Sequence, residues 1–142
     1  MTPTSILWSV TDNLVKWQEA HAGHTSKRCL EAVRHACAEA GLRLPLSNED
    51  YKGALAITCG KTLAANPKHW GWKLVGKSAK GLPTDQPSLV FFRGCGNVGG
   101  GRIAGHVAIY KPSTNRHISN ESHALTKWWA ERIAFCFLPR QN

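Results

Sequence analysis

Apolar residues recur along the first third of the chain at helical spacing. Ile6, Val10, Leu14 and Trp17 predict an amphipathic helix over residues 5–22, ended by Ala22-Gly23. His24, Thr25 and Ser26 are capping residues for a second helix over 27–40, with Leu30, Val33 and Cys37 as its apolar stripe and Gly41 as its stop. After a loop at 45–48, Asn48 caps a third helix over 49–64 with Leu55 and Leu63 facing inward, and Asn66-Pro67 breaks it. The period then changes. Trp70, Trp72 and Leu74 alternate in 69–75, which predicts a strand. Residues 76–87 are polar, rich in glycine and proline, and read as an exposed loop. Residues 89–92 are a compact apolar run, 94–105 a glycine-rich connection, and 106–110 and 116–120 two strands around a turn at 112–115. A polar stretch with Trp128 and Trp129 leads to a last strand over 132–138. Helices first and an antiparallel sheet afterwards predict an α+β fold, with the N-terminal helices packed on a small sheet.

The 142 residues suit one domain, 1–142, with a core large enough to need no staples. Eighteen Lys and Arg against nine Asp and Glu give a formal charge of +9, which favours a polyanionic partner or surface. Those basic residues are scattered, and a solvated basic surface with no specific ligand would look the same. Five cysteines, Cys29, Cys37, Cys59, Cys95 and Cys136, cannot all pair, and no CxxC occurs. No stretch approaches a membrane span, and residues 1–14 lack the basic start and long apolar run of a Sec signal. The expectation is a product made in the cytoplasm and carried by other means to any target outside.

Two side chains carry the candidate chemistry. With Ser26 as N-cap, Cys29 falls in the first helical turn, where free N–H groups and the helix dipole lower a thiol pKa and can hold an oxyanion. Lys27 and Arg28 add positive charge beside it. A small buried cysteine, as Cys37 is read to be, is the plainer account of the same residue. His106 opens the strand HVAIY after Gly105; Val107 and Ile109 face the core, and Ala108 leaves room on the other side for a general base. Lone strand histidines are mostly structural, and the pairing with Cys29 is what changes the weighting. A third group should fix the imidazole tautomer. Among His117, Ser119 and Asn120, His117 is favoured because it lies opposite the core residue Ile118 and accepts a hydrogen bond well. The HxxH of His21 and His24 has no partner ligand nearby, GCGNVGGG at 94–101 lacks the features of a phosphate loop, and neither a cofactor nor a metal is expected. The tryptophans read as core first and as a groove for sugar or peptide second.

The order of parts resembles the NlpC and CHAP group of papain-like cell-wall cysteine peptidases: a Cys at a helix start, then LVFF at 89–92, then GHVAIY at 105–110. The stretch CLEAVRHACAEAGL and the ending CFLPR at 136–140 are similar to the small amidase effectors exported by type VI secretion systems. The resemblance covers most of 22–142. It implies a papain-like domain that cuts an amide bond in the peptidoglycan stem through a thioester, with Cys29 as nucleophile and His106 as base. The third position stays open among His117, Ser119 and Asn120. The aromatic residue usual after the nucleophile is missing from 30–33.

The expected function is therefore a peptidoglycan hydrolase, either a secreted antibacterial effector or a phage lytic enzyme, acting in the periplasm or on the wall. Peptidoglycan is the expected partner, with an immunity protein if the chain is a toxin. It should be a monomer with no stable nucleic-acid partner. The alternative is a non-catalytic basic domain that binds nucleic acid or an anionic wall polymer, and a zinc amidase built on histidines is a further rival.

Overall fold

The computed structural model describes residues 3–23, 28–45, 56–96 and 103–140. The caps expected at Ser26 and Asn48, the inward Leu55 and residues 97–102 of the glycine-rich connection lie outside them. Three helices come first: α1 (Pro3–Ala20), α2 (Cys29–Glu39) and α3 (Ala56–Ala65). Six strands follow: β1 (Trp72–Gly76), β2 (Ser88–Phe92), β3 (His106–Lys111), β4 (Arg116–Ile118), β5 (Ser122–Ala124) and β6 (Ile133–Pro139), with a short α4 (Lys127–Ala130) before the last. They form one antiparallel sheet in the order β1-β6-β2-β3-β4-β5. The architecture is α+β, as the patterning predicts.

Three helices cover one face of the sheet. Leu7, Val10, Leu14 and Trp17 of α1, Val33 and Cys37 of α2, and Cys59 and Leu63 of α3 meet Leu89, Phe91, Val107, Ile109 and Phe137. The other face is also covered. Val90, Phe92, Ala108, Tyr110, Ile133 and Cys136 form a second cluster there, with Val75, Leu82, Leu125 and Trp129 packed on it. Burial on both sides explains why β2 reads as an unbroken apolar run rather than an alternating one.

Some element boundaries differ from the expectation. Residues 69–75 are not one strand. Pro67–Trp70 is a 3-10 turn closed by Gly71 in the left-handed region, and β1 starts at Trp72, whose indole N–H donates to the Arg43 carbonyl at 2.7 Å. Inside 76–87 there is a 3-10 turn, Ala79–Gly81. The strand expected over 116–120 ends at Ile118, because the chain reverses: the Ser119 N–H donates to the Glu121 carbonyl at 2.8 Å. That reversal opens β5, a strand the patterning did not anticipate. The described residues include no helix long and apolar enough to cross a membrane.

Candidate active site

The first residues of β3 are held in place from three sides. Gly105 has φ +74°, and a Cβ there would lie 2.7 Å from the Phe92 carbonyl oxygen and 2.8 Å from Cβ of Ile57. Only glycine fits, both for the backbone and for the space. Next to it the Ile57 N–H of α3 donates to the Ala104 carbonyl at 2.8 Å, and the Gly105 N–H donates to the Cys95 carbonyl at 2.9 Å. His106 therefore starts β3 at a fixed height, opposite Phe92.

The imidazole packs among rings. Its centroid lies 5.1 Å from Trp129, 5.8 Å from Phe92 and 5.7 Å from His117. Nε2 is 3.2 Å from Ser119 Oγ, and the Ser119 hydroxyl donates to Asn120 Oδ1 at 2.8 Å. A serine has a single hydroxyl proton. With that proton on Asn120, Ser119 accepts from His106, so the proton of the neutral ring sits on Nε2 and Nδ1 carries the free lone pair. Ser119 is fully buried and Asn120 nearly so, and the Ser119 carbonyl accepts from Gln18 Nε2 at 2.8 Å, tying this corner to α1.

His117 does not fill the orienting role expected of it. Its side chain is fully buried and neither ring nitrogen has a hydrogen-bond partner. Phe92 and Trp129 flank it at centroid distances of 5.0 and 4.6 Å. It pairs across the strands with Tyr110 and His123, one step beyond reach of His106 Nε2. The bond to His106 comes from the next residue on the same face, Ser119, because a two-residue diagonal step carries Ser119 rather than His117 towards the start of β3.

Cys29 is the first residue of α2, with Arg28 as N-cap and no side-chain cap. The backbone N–H groups of Val107, Leu30 and Cys29 itself lie near enough to the sulfur to favour its charged form. The Val107 contact puts the nucleophile candidate against the second residue of β3, beside His106. Cys29 packs with the helical cluster, whereas the His106 ring packs with the aromatic cluster on the other face. Among the described residues no hydrogen bond joins them directly.

The thiol is not pre-activated as the helix start suggested. Burial pushes the Cys29 pKa up, and the three N–H groups offset this only in part. The expectation of a lowered value rested on dipole and neighbouring charge; removal of water is the larger effect here. Arg28 spends its charge in an ion pair with Glu31. Burial likewise pushes His106 down to about 4, helped by His123, and His117 down to about 3, helped by His106, His123 and Arg116. At neutral pH the resting pair is a thiol and a neutral imidazole.

The other thiols are placed as small buried residues or neighbours. Burial raises Cys37, and it raises Cys59 and Cys136 to about 12 each. Cys95, half-buried in the loop before β3, has its pKa raised mainly by burial and further by nearby Cys29. Nothing in the sequence pattern placed Cys95 near Cys29 or Trp129 against His106. A thiol within a glycine-rich loop and a tryptophan in a polar stretch carry no periodic signal. The His21 ring bonds the Trp17 carbonyl at 2.8 Å and stacks on the Trp17 ring at 4.2 Å, and no group of three metal-ligating side chains occurs among the described residues. Comparison of the chain with family models, with curated proteins and with solved structures gives no match.

Proposed function

We propose that the chain is a papain-like cysteine peptidase or amidase that hydrolyses an amide bond in the peptidoglycan stem peptide. One observation carries this reading: at the first two residues of β3, the Val107 N–H lies near the Cys29 sulfur while Ser119 holds the His106 imidazole with Nδ1 unprotonated. A thiol, a base in the right tautomer and a set of N–H donors are the parts acyl transfer needs.

In this mechanism His106 Nδ1 takes the Cys29 proton as the sulfur attacks the carbonyl carbon. The N–H groups of Cys29, Leu30 and Val107 are the donors available to the developing negative charge. The tetrahedral species collapses, the C–N bond breaks, and the imidazolium returns its proton to the leaving amine. Water then attacks the thioester with His106 as base and releases the acid and the thiol. Ser119 and Asn120 position the base and touch no reacting atom. Because the resting pair is neutral, proton transfer belongs to the attack step rather than preceding it.

The activity would be exercised in the periplasm or on the wall after delivery, as an antibacterial effector or a phage lytic enzyme, and an effector would have an immunity protein. The net charge of +9 suits an anionic wall. The decisive experiment is incubation of the protein and its Cys29→Ala variant with purified peptidoglycan, followed by mass spectrometry of the soluble fragments. New amine and carboxyl termini made by the parent alone are expected. A second reading, a non-catalytic basic binding domain, draws on the raised thiol pKa and the absence of a direct Cys29–His106 bond among the described residues. Intact peptidoglycan with both proteins, together with salt-sensitive binding unchanged by Cys29→Ala, would favour it.

A further inference from the structure

Away from Cys29, at the β1-β6-β2 side of the same sheet, a cavity of about 370 Å3 is lined by Lys77, Lys80, Arg93 and Lys127, with Ser78 and a single carboxylate, Glu131. These four cations come from three separate segments, so sequence spacing alone does not bring them together. Two features fix the lining. The loop carrying Lys77, Ser78 and Lys80 is pinched shut where Gly76 and Gly81 touch: a Cβ on Gly76 would lie 2.6 Å from Cα of Gly81. Inside the pinch, Gly81 N–H donates to the Ser78 carbonyl at 3.0 Å and Leu82 N–H to the Ala79 carbonyl at 3.2 Å. Opposite it, the Arg93 guanidinium is anchored by the carbonyls of Ile133 at 3.0 Å and Glu131 at 3.3 Å. Glu131 lies 3.8 Å from Lys127. Four positive charges against one negative leave a local excess of three in the cavity.

Four cations and one carboxylate around one cavity give it a positive potential, and an anion shared by several of them is favoured there. A single carboxylate would leave most of the excess unmet. Lysine ammonium groups are compact donors without the planar fork that matches a carboxylate, and phosphate oxygens accept from several such donors at once. We propose that this cavity is a binding site for a multivalent phosphate-bearing anion, two or more phosphate groups in one ligand. The site does not depend on the hydrolase reading.

The test uses the full chain and inorganic tripolyphosphate, with isothermal titration calorimetry for affinity and 1H–15N correlation spectra for location. Saturable binding of one anion is expected, with amide shifts centred on residues 77–81, 93 and 127–131. Lys77→Ala with Lys80→Ala should weaken it by roughly tenfold or more. A charge-matched control, Lys16→Ala with Lys61→Ala on the exposed helices, should leave the affinity within about twofold. Equal weakening in both double variants, or shifts spread over the surface without saturation, would reduce the effect to net charge and overturn the site. Orthophosphate binding as tightly as tripolyphosphate would overturn its multivalent character.

Discussion

At the scale of single residues, Ser119 and His117 separate two accounts of how His106 is held. Ser119→Ala removes the acceptor for Nε2–H, so the ring loses its fixed tautomer. Peptidoglycan hydrolysis is expected to fall roughly tenfold to a hundredfold, since orientation is only part of what a base supplies. His117→Phe removes a buried ring with two unmet nitrogens from between Phe92 and Trp129. Activity should stay within about twofold and stability should rise by about 1 kcal/mol, because an unmet polar group is replaced by an apolar one. Loss of hydrolysis in His117→Phe with Ser119→Ala unaffected would reverse the assignment. Cys29 supplies a second residue-scale expectation. Its burial-raised pKa means that little thiolate exists at neutral pH, so the rate of alkylation by iodoacetamide should climb steadily above about pH 8. A plateau reaching down to about pH 6 would instead mean a thiolate–imidazolium pair already formed at rest. Cys37, Cys59 and Cys136 are fully buried and should lag, which leaves half-buried Cys95 as the competitor in peptide mapping.

At the scale of elements, β3 depends on how the chain enters it. Gly105→Ala places a methyl group against the Phe92 carbonyl and Ile57 while forcing alanine to φ +74°. A loss of about 2–4 kcal/mol is expected from strain and overpacking together. Gly41→Ala, at φ +81° with nothing within 4 Å, carries only the backbone part, about 1 kcal/mol, and serves as the comparison. Urea denaturation of both variants measures the difference; equal losses would mean that the close approach contributes nothing. Elements with strong periodicity were legible in the sequence. α1 and α2 were marked by their apolar stripes, β2 by its run and β3 by alternation after Gly105. Elements set by tertiary contact were not. The Trp70, Trp72, Leu74 alternation spans a left-handed Gly71 that splits turn from strand. The three-residue β5 and four-residue α4 are too short to show a period. At the site, helix start and strand start placed Cys29 at the head of α2 and His106 at the head of β3, and both stand there. The choice between His117 and Ser119 needed the β3–β4 register, and the raised thiol pKa needed the burial.

At the scale of the whole molecule, half-buried His106 and fully buried His117 make stability depend on pH. His106 and His117 are pushed down from an ordinary 6.5 to about 4 and about 3, mainly by burial. Between those values and 6.5 the unfolded chain binds protons that the folded chain refuses. The unfolded state thus holds more protons, and stability rises with pH across this window. It is fully present above about pH 6.5 and is lost as pH falls towards about 4 and then about 3. A tenfold difference in proton affinity between the folded and unfolded chain corresponds to about 1.4 kcal/mol, so the combined loss on acidification is on the order of a few kcal/mol once mutual repulsion and relaxation of the site are allowed for. That is a large part of the stability of a domain this size. His117→Phe deletes the deeper of the two proton sites. Its urea midpoint should match or exceed the parent at about pH 7.5, and the gap should widen steadily as the pH is lowered to about 4.5. Ser119→Ala keeps both histidines and should retain the parent's acid slope, whatever it does to hydrolysis. Parallel curves for the parent and His117→Phe across that range would place the acid sensitivity in other groups and leave His117 a neutral packing residue whose protonation costs the fold nothing.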